Sequence, residues 1–136
     1  MNIDNLKSQM RKGMLEFCVL LLLRQGDAYA SEMIARLKDA RLIVMEGTLY
    51  PLLTRLKNDG LLSYRWEESM QGPPRKYYSI TLLGLDFLSQ LQTSWEEISG
   101  SVNLLLNQPI IPPSSSTTSS SDSSDTSSST PNISEQ

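Results

Sequence analysis

Glu46-Gly47-Thr48-Leu49-Tyr50-Pro51-Leu52-Leu53-Thr54-Arg55-Leu56-Lys57-Asn58-Asp59-Gly60 is the stretch around which the rest of the chain is organised. Leu49, Leu52, Leu53 and Leu56 recur at i, i+3, i+4 and i+7, the spacing that gathers apolar side chains on one face of a helix. That face is expected to pack inward. Thr48 is the expected N-cap, which puts Pro51 in the first turn, where a missing backbone N–H costs nothing. Gly60 is the expected stop, because glycine adopts the left-handed conformation that closes a helix without steric cost. Thr48, Tyr50, Thr54, Arg55 and Lys57 remain outward, a set of hydroxyl, aromatic and cationic groups suited to phosphates and base edges.

The segments before this helix repeat its logic. Residues 3–24 place Leu6, Met10, Met14, Phe17 and Leu21 on one stripe and become apolar nearly all round over residues 20–23, so a core helix is expected there. Residues 24–27 supply a glycine stop and a polar turn. A second helix over residues 29–40 turns Ala30, Met33, Ile34 and Leu37 to one side. It is too short to stand alone in water and must pack against its neighbours, with Leu42, Ile43 and Val44 as an apolar connector.

After Gly60 the period changes. Leu62, Tyr64 and Trp66 alternate with Ser63, Arg65 and Glu67, which predicts a strand. Met70-Gln71-Gly72-Pro73-Pro74 reads as the turn, and residues 75–80 as the returning strand, with Lys76, Tyr78 and Ile80 on one face and Arg75, Tyr77 and Ser79 on the other. A lone hairpin is marginal, so it is expected to lean on the helices with its Gly-Pro-Pro tip projecting as a wing. Adjacent strand residues face opposite ways, so only one of Tyr77 and Tyr78 is expected on an outer face.

Thr81 is the expected N-cap of a last helix reaching residue 106. From Gly84, the residues Leu88, Leu91, Trp95, Ile98, Val102 and Leu105 are spaced 4, 3, 4, 3, 4, 3, a heptad seam. Such a narrow stripe suits a helix that pairs along its length, and homodimerisation through these six side chains is the expectation. Beyond Asn107 the 136-residue chain is almost wholly Ser, Thr, Pro and Asp, too polar to offset the entropy of ordering. A disordered tail over residues 107–136 is expected.

Composition narrows the function. There is no histidine and a single cysteine, Cys18, which removes the usual general base and the usual soft metal ligands. Neither catalysis nor a metal or organic cofactor is expected, and Cys18 reads as a small hydrophobe in a reducing cytoplasm. The apolar run at residues 17–23 is far shorter than the roughly 20 residues needed to span a bilayer, so no membrane association is expected. Three of the 15 acidic residues, Asp122, Asp125 and Glu135, lie in the tail, leaving twelve against 12 basic residues in the body. The body is neutral, yet Arg36, Lys38, Arg41, Arg55, Lys57, Arg65, Arg75 and Lys76 crowd its middle third, where a local positive patch can form.

The fold class this order implies is mainly α with a small β-hairpin: a winged helix-turn-helix domain over residues 1–81 and a long C-terminal dimerisation helix over residues 82–106. Glu46-Gly47-Thr48-Leu49-Tyr50-Pro51-Leu52-Leu53-Thr54-Arg55-Leu56, then Gly60-Leu61-Leu62, then Gly72-Pro73-Pro74-Arg75-Lys76-Tyr77-Tyr78-Ser79-Ile80-Thr81 and Gly84, resemble the PadR family of bacterial transcriptional regulators. The resemblance runs from the first helix to about Leu106. It implies a homodimeric repressor of double-stranded DNA whose third helix enters the major groove and whose hairpin tip lies on the neighbouring backbone. The DNA-binding residues so implied are Thr48, Tyr50, Thr54, Arg55, Lys57, Arg75, Lys76 and Tyr77, with Ser31 at the start of the second helix. There, Ala30-Ser31 stands where many members carry Gly-Tyr. In some members flat aromatic effectors bind between the C-terminal helices and the DNA-binding domains, and Trp95 with Phe87 are the corresponding candidates. The competing reading is a winged-helix module that binds protein instead of DNA.

Overall fold

The computed structural model describes residues 1–113, and the expected tail lies outside the described residues from 114 onward. The chain divides into two units, one of residues 1–98 and a second that begins at residue 99. In chain order the elements are α1 (Ile3–Gln25), β1 (Ala28–Tyr29), α2 (Ala30–Asp39), α3 (Glu46–Asn58), β2 (Leu62–Ser69), β3 (Gly72–Ile80) and α4 (Leu82–Leu106). This is the anticipated succession of helices and hairpin, with one strand added. The last turns of α4, residues 99–106, belong to the second unit; Ser99 is half-buried and residues 100–106 are exposed, as are residues 107–113.

The core of the first unit is apolar, and among the described residues no polar or charged side chain is buried. Leu49, Leu52, Leu53 and Leu56 of α3 are all buried, against Val19, Leu20 and Leu23 of α1, Met33 and Leu37 of α2, and Leu88 of α4. α1 serves this core only with its C-terminal half. Leu6 and Met10, expected on the inward stripe, are exposed together with Ile3, because the other elements pack only against the later turns.

α3 begins three residues before its expected start. Met45 is the N-cap, its carbonyl accepting from the N–H groups of Thr48 and Leu49, each at 3.0 Å, and Glu46 places a negative charge in the first turn, where the helix dipole favours it. Buried Val44 fixes the chain just ahead of that cap. Thr48 is therefore the third helical residue rather than the cap, and its side chain is exposed. Pro51 is correspondingly the sixth residue, inside the helix. The carbonyl it leaves unpaired belongs to Gly47, which is exposed and can be hydrated. The helix closes as expected: Gly60 takes φ 80°, Gly60 N–H donates to Lys57 O and Leu61 N–H to Leu56 O, both at 3.0 Å. That is a Schellman closure with buried Leu61 as its apolar residue.

The hairpin is part of a three-stranded antiparallel sheet of order β1-β3-β2. β1 pairs Ala28 with Tyr78 and Tyr29 with Tyr77. Two residues carry no alternation, which is why nothing in the sequence announced this strand. The turn is also tighter than expected, since Pro73 and Pro74 lie within β3 and Ser69 pairs with Gly72 after an irregularity between Glu67 and Ser69. Prolines are tolerated there because β1 covers β3 only at Tyr77 and Tyr78, so at its start β3 has one neighbour and an open edge.

Thr81 joins the wing to α4. Its hydroxyl donates to the carbonyl of Gly60 at 2.7 Å and accepts from Gly84 N–H at 2.9 Å, the N-cap bond expected of it. A Cβ on Gly84 would overlap the Leu61 carbonyl oxygen and crowd Ile80, so α4 approaches the β2 entry at a distance only glycine permits. Gly84→Ala is expected to cost about 1–3 kcal/mol through this overlap, and Thr81→Val about 1–2 kcal/mol through the lost cap. Chemical denaturation measures both, and a melting curve unchanged in Gly84→Ala would show that the close approach carries no weight.

Candidate nucleic-acid interface

Burial of the four leucines decides what α3 presents. At about 100° per residue, Gly47, Pro51, Thr54 and Asn58 occupy the middle of the opposite face. All four are exposed. Tyr50 and Lys57 lie on the edge nearer the wing, and Thr48 and Arg55 on the edge nearer α1. Gly47, Pro51 and Asn58 were not among the residues expected to act. Gly47 and Pro51 offer no charge or donor that would draw notice, yet a face low in side-chain bulk lets a backbone approach a ligand closely.

A cleft of about 430 Å³ lies between α2, α3 and the wing. Ser31 of α2, Tyr50 and Thr54 of α3, and Arg75 and Lys76 of β3 all line it, so five of the nine expected contact residues meet around one concavity. The remaining four do not. Thr48 and Arg55 line a separate depression with Lys12 and Leu15 of α1, and Arg55 Nη2 pairs with Glu16 Oε1 at 3.3 Å. Lys57 sits at a third depression with Tyr64 and Lys76. Tyr77 lies on the other face of the sheet, against Tyr29 with ring centroids 4.7 Å apart. Its neighbour Tyr78 is buried, as alternation required, and burial raises its phenol pKa, helped by Tyr50 and Tyr64 nearby.

Two further residues of the cleft escaped notice in the sequence, Tyr29 and Trp66. Both act on cations. The Arg75 guanidinium lies 4.1 Å from the centre of the Tyr29 ring, and the Lys76 ammonium lies 4.5 Å from that of Tyr64 and 5.5 Å from that of Trp66. Lys57 lies over Tyr64 at 5.7 Å. Rings hold a cation without neutralising it, at about 0.5–1 kcal/mol for exposed pairs. Arg65 differs, because Asp27 and Glu67 both pair with it at 2.9 Å. The hydrogen bond from Arg65, then one from Ser79, holds the Asp27 carboxyl below its ordinary pKa. Arg36 donates to the Gln25 side chain at 2.8 Å. Within the sequence cluster of eight cations, Arg55 and Arg65 thus pair with carboxylates, whereas Lys57, Arg75 and Lys76 lie on rings.

The rest of the surface carries less. Cys18 is half-buried, not enclosed, and burial raises its thiol pKa, which disfavours the nucleophilic thiolate. Among the described residues no group of His, Cys, Asp and Glu is arranged to hold a metal ion, and no helix is long and apolar enough to cross a membrane.

Comparison with known proteins agrees with this architecture. The profile of the transcriptional regulator PadR-like family matches residues 19–90. A PadR-like transcription factor from Bacteroides fragilis is 65% identical, with 74% of this chain and 98% of that chain covered at a TM-score of 0.64. A PadR family transcriptional regulator from Eggerthella lenta is 33% identical, covering 79% of this chain and 94% of that one at a TM-score of 0.72. A PadR-like transcriptional regulator from Bacillus cereus is 39% identical, with 74% and 99% covered at a TM-score of 0.67. The matched segment contains α2, α3 and the whole wing, and on these grounds the chain belongs to the PadR-like family, whose members are transcriptional regulators and not enzymes.

Proposed function

We propose that this chain is a cytoplasmic, homodimeric repressor that reads a specific DNA operator with α3 and clamps the adjacent backbone with the wing. The observation that carries the reading is the convergence of Ser31, Tyr50, Thr54, Arg75 and Lys76 on one cleft beside the outward face of α3. A helix face of small and hydroxylated residues flanked by Tyr50 fits a major groove, while cations held on rings fit phosphates. Ser31 then caps a phosphate at the start of α2. Thr48, Arg55 and Lys57 flank the reading face, with Arg55 reaching DNA only after leaving Glu16. Tyr77 contributes from beneath the wing. In this reading residues 1–81 bind DNA and residues 82–106 pair two copies.

Homodimerisation is supported by the fate of the seam. Leu88 and Leu91 pack onto the chain's own core, whereas Trp95 at 44%, Ile98 at 60%, Val102 at 49% and Leu105 at 67% exposure leave apolar surface open to a partner. Ile3, Leu6 and Met10 of α1 are exposed as well, further apolar side chains that a second copy can bury. Repression by occupancy needs only DNA reading and pairing. Trp95 and Phe87, both partly exposed, are proposed to contribute to a site for flat aromatic effectors, on the strength of the resemblance.

Selection of bound duplexes from a random pool, at stated salt, tests the central claim. Arg75→Ala and Lys76→Ala are expected to weaken all sequences alike and flatten the salt dependence, since phosphate contacts carry no sequence information. Tyr50→Phe and Thr54→Val are expected to change the preferred sequence, at about 1–3 kcal/mol for a lost base contact. Unchanged affinity in all four would favour a protein-binding winged helix instead.

Light scattering addresses the dimer. The protein is expected to be dimeric at tens of micromolar, where an interface of about −8 kcal/mol suffices, and Ile98→Asp is expected to dissociate it by placing a charge in the seam. A wild-type monomer at that concentration removes the pairing claim. For the effector, Trp66→Phe leaves Trp95 as the reporter, and planar aromatic compounds are expected to quench it saturably and shift operator affinity. Quenching without a shift in affinity returns Trp95 to a packing role.

A further inference from the structure

Arg75 stands directly across the β2–β3 ladder from Glu67. Side chains so placed share one face at about 5 Å between Cβ atoms, where an arginine opposite a glutamate is within reach of an ion pair. Here none forms. Glu67 Oε2 accepts from Arg65 Nε at 2.9 Å, and Arg65 Nη1 bonds Asp27 Oδ2 at 2.9 Å. Among the described residues none of the ion pairs involves Arg75, whose guanidinium instead lies on the Tyr29 ring. Tyr29 is backed by Tyr77, over which Arg65 itself lies at 4.5 Å.

We propose that Arg65 is a positioning residue for the wing: by occupying Glu67 it withholds that carboxylate from Arg75 and leaves the Arg75 guanidinium on Tyr29, charged and open to a DNA phosphate. Arg65 engages two carboxylates, Glu67 from within β2 and Asp27 from the turn that leads into β1, while Glu32 beside Tyr29 accepts from the Tyr29 backbone N–H at 2.8 Å. Exposed ion pairs of this kind add little stability, so the arrangement is better explained by what it leaves unpaired than by what it holds together. Without Arg65, Glu67 is the nearest carboxylate across the ladder, and Arg75 must break a pair with it before meeting DNA.

The inference rests on the proposed wing–phosphate contact, and the test separates the two. Full-length protein is titrated with a mixed-sequence DNA duplex over a salt series, because phosphate contacts are independent of sequence. Arg75→Ala is expected to lower the slope of log affinity against log salt by about 0.9 per wing. Arg65→Gln is expected to lower it equally, although Arg75 is intact. Adding Glu67→Gln to Arg65→Gln is expected to return the slope to the wild-type value, and adding Arg75→Ala to that double variant to abolish the rescue. Thermal melts of each variant verify that the fold is retained. A double variant that stays at the Arg65→Gln slope overturns the inference, since Arg65 then acts for itself. A rescue that persists without Arg75 also overturns it, by reducing Glu67 to a general repulsive charge. Wild-type slope in Arg75→Ala overturns the wing–phosphate reading and this inference together.

Discussion

Everything that this protein presents to the outside depends on how α3 is seated. Four leucines on one face, buried against α1, α2 and α4, fix the helix's rotation about its own axis. A fully buried leucine contributes about 1.5–3 kcal/mol relative to exposure, so turning α3 by even one residue's angle would expose several kilocalories of apolar contact. The outward face is therefore rigid by necessity. Its middle consists of Gly47, Pro51, Thr54 and Asn58, none of them bulky, and the larger groups stand at the edges.

The second constraint is the junction that ties the wing to this helix. Gly60 ends α3 in the left-handed region, Leu61 is buried immediately after it, and Thr81 bonds back to that same turn while capping α4. The start of β2, the end of β3 and the start of α4 thus share a few backbone atoms. Gly84 completes the arrangement by letting α4 pass close to the Leu61 carbonyl. The wing's position relative to α3 follows from this junction, not from contacts at the wing's own tip, where the chain is paired on one side only.

Electrostatics then refines the surface. The body has no net charge to attract DNA from a distance, so local arrangement must do what total charge does not. The structure sorts its cations by partner. Those facing carboxylates, Arg55 and Arg65, are locally neutralised, while Arg75, Lys76 and Lys57 lie on tyrosine and tryptophan rings. Either kind of exposed pair is worth about a kilocalorie or less, which is small beside the leucine core. Their consequence is orientation: Arg75 and Lys76 stand on rings at the cleft, and Lys57 at the depression next to it.

The sequence by itself determined the order of helices and hairpin, the inward face of α3, its glycine stop, the Thr81 cap and the alternation that buried Tyr78, because each of these is a local period or a local backbone requirement. It also carried the constellation by which the family is recognisable. It misplaced the start of α3 by three residues, since the buried anchor at Val44 outweighed the capping preference of Thr48. It missed β1, whose two residues pair with a strand some fifty positions away, and it assigned Pro73 and Pro74 to the turn because an open edge at that end of β3 is a property of the assembled sheet. The site was legible in part. Tyr50, Thr54, Arg75 and Lys76 were named from their chemistry and Ser31 from the family resemblance, but that they meet, and that Arg55 turns to Glu16 while Arg65 holds Glu67, was decided only by tertiary structure. Spacing along a chain specifies which face a residue occupies, whereas the partner it finds there is set by elements distant in sequence that the packed core brings alongside.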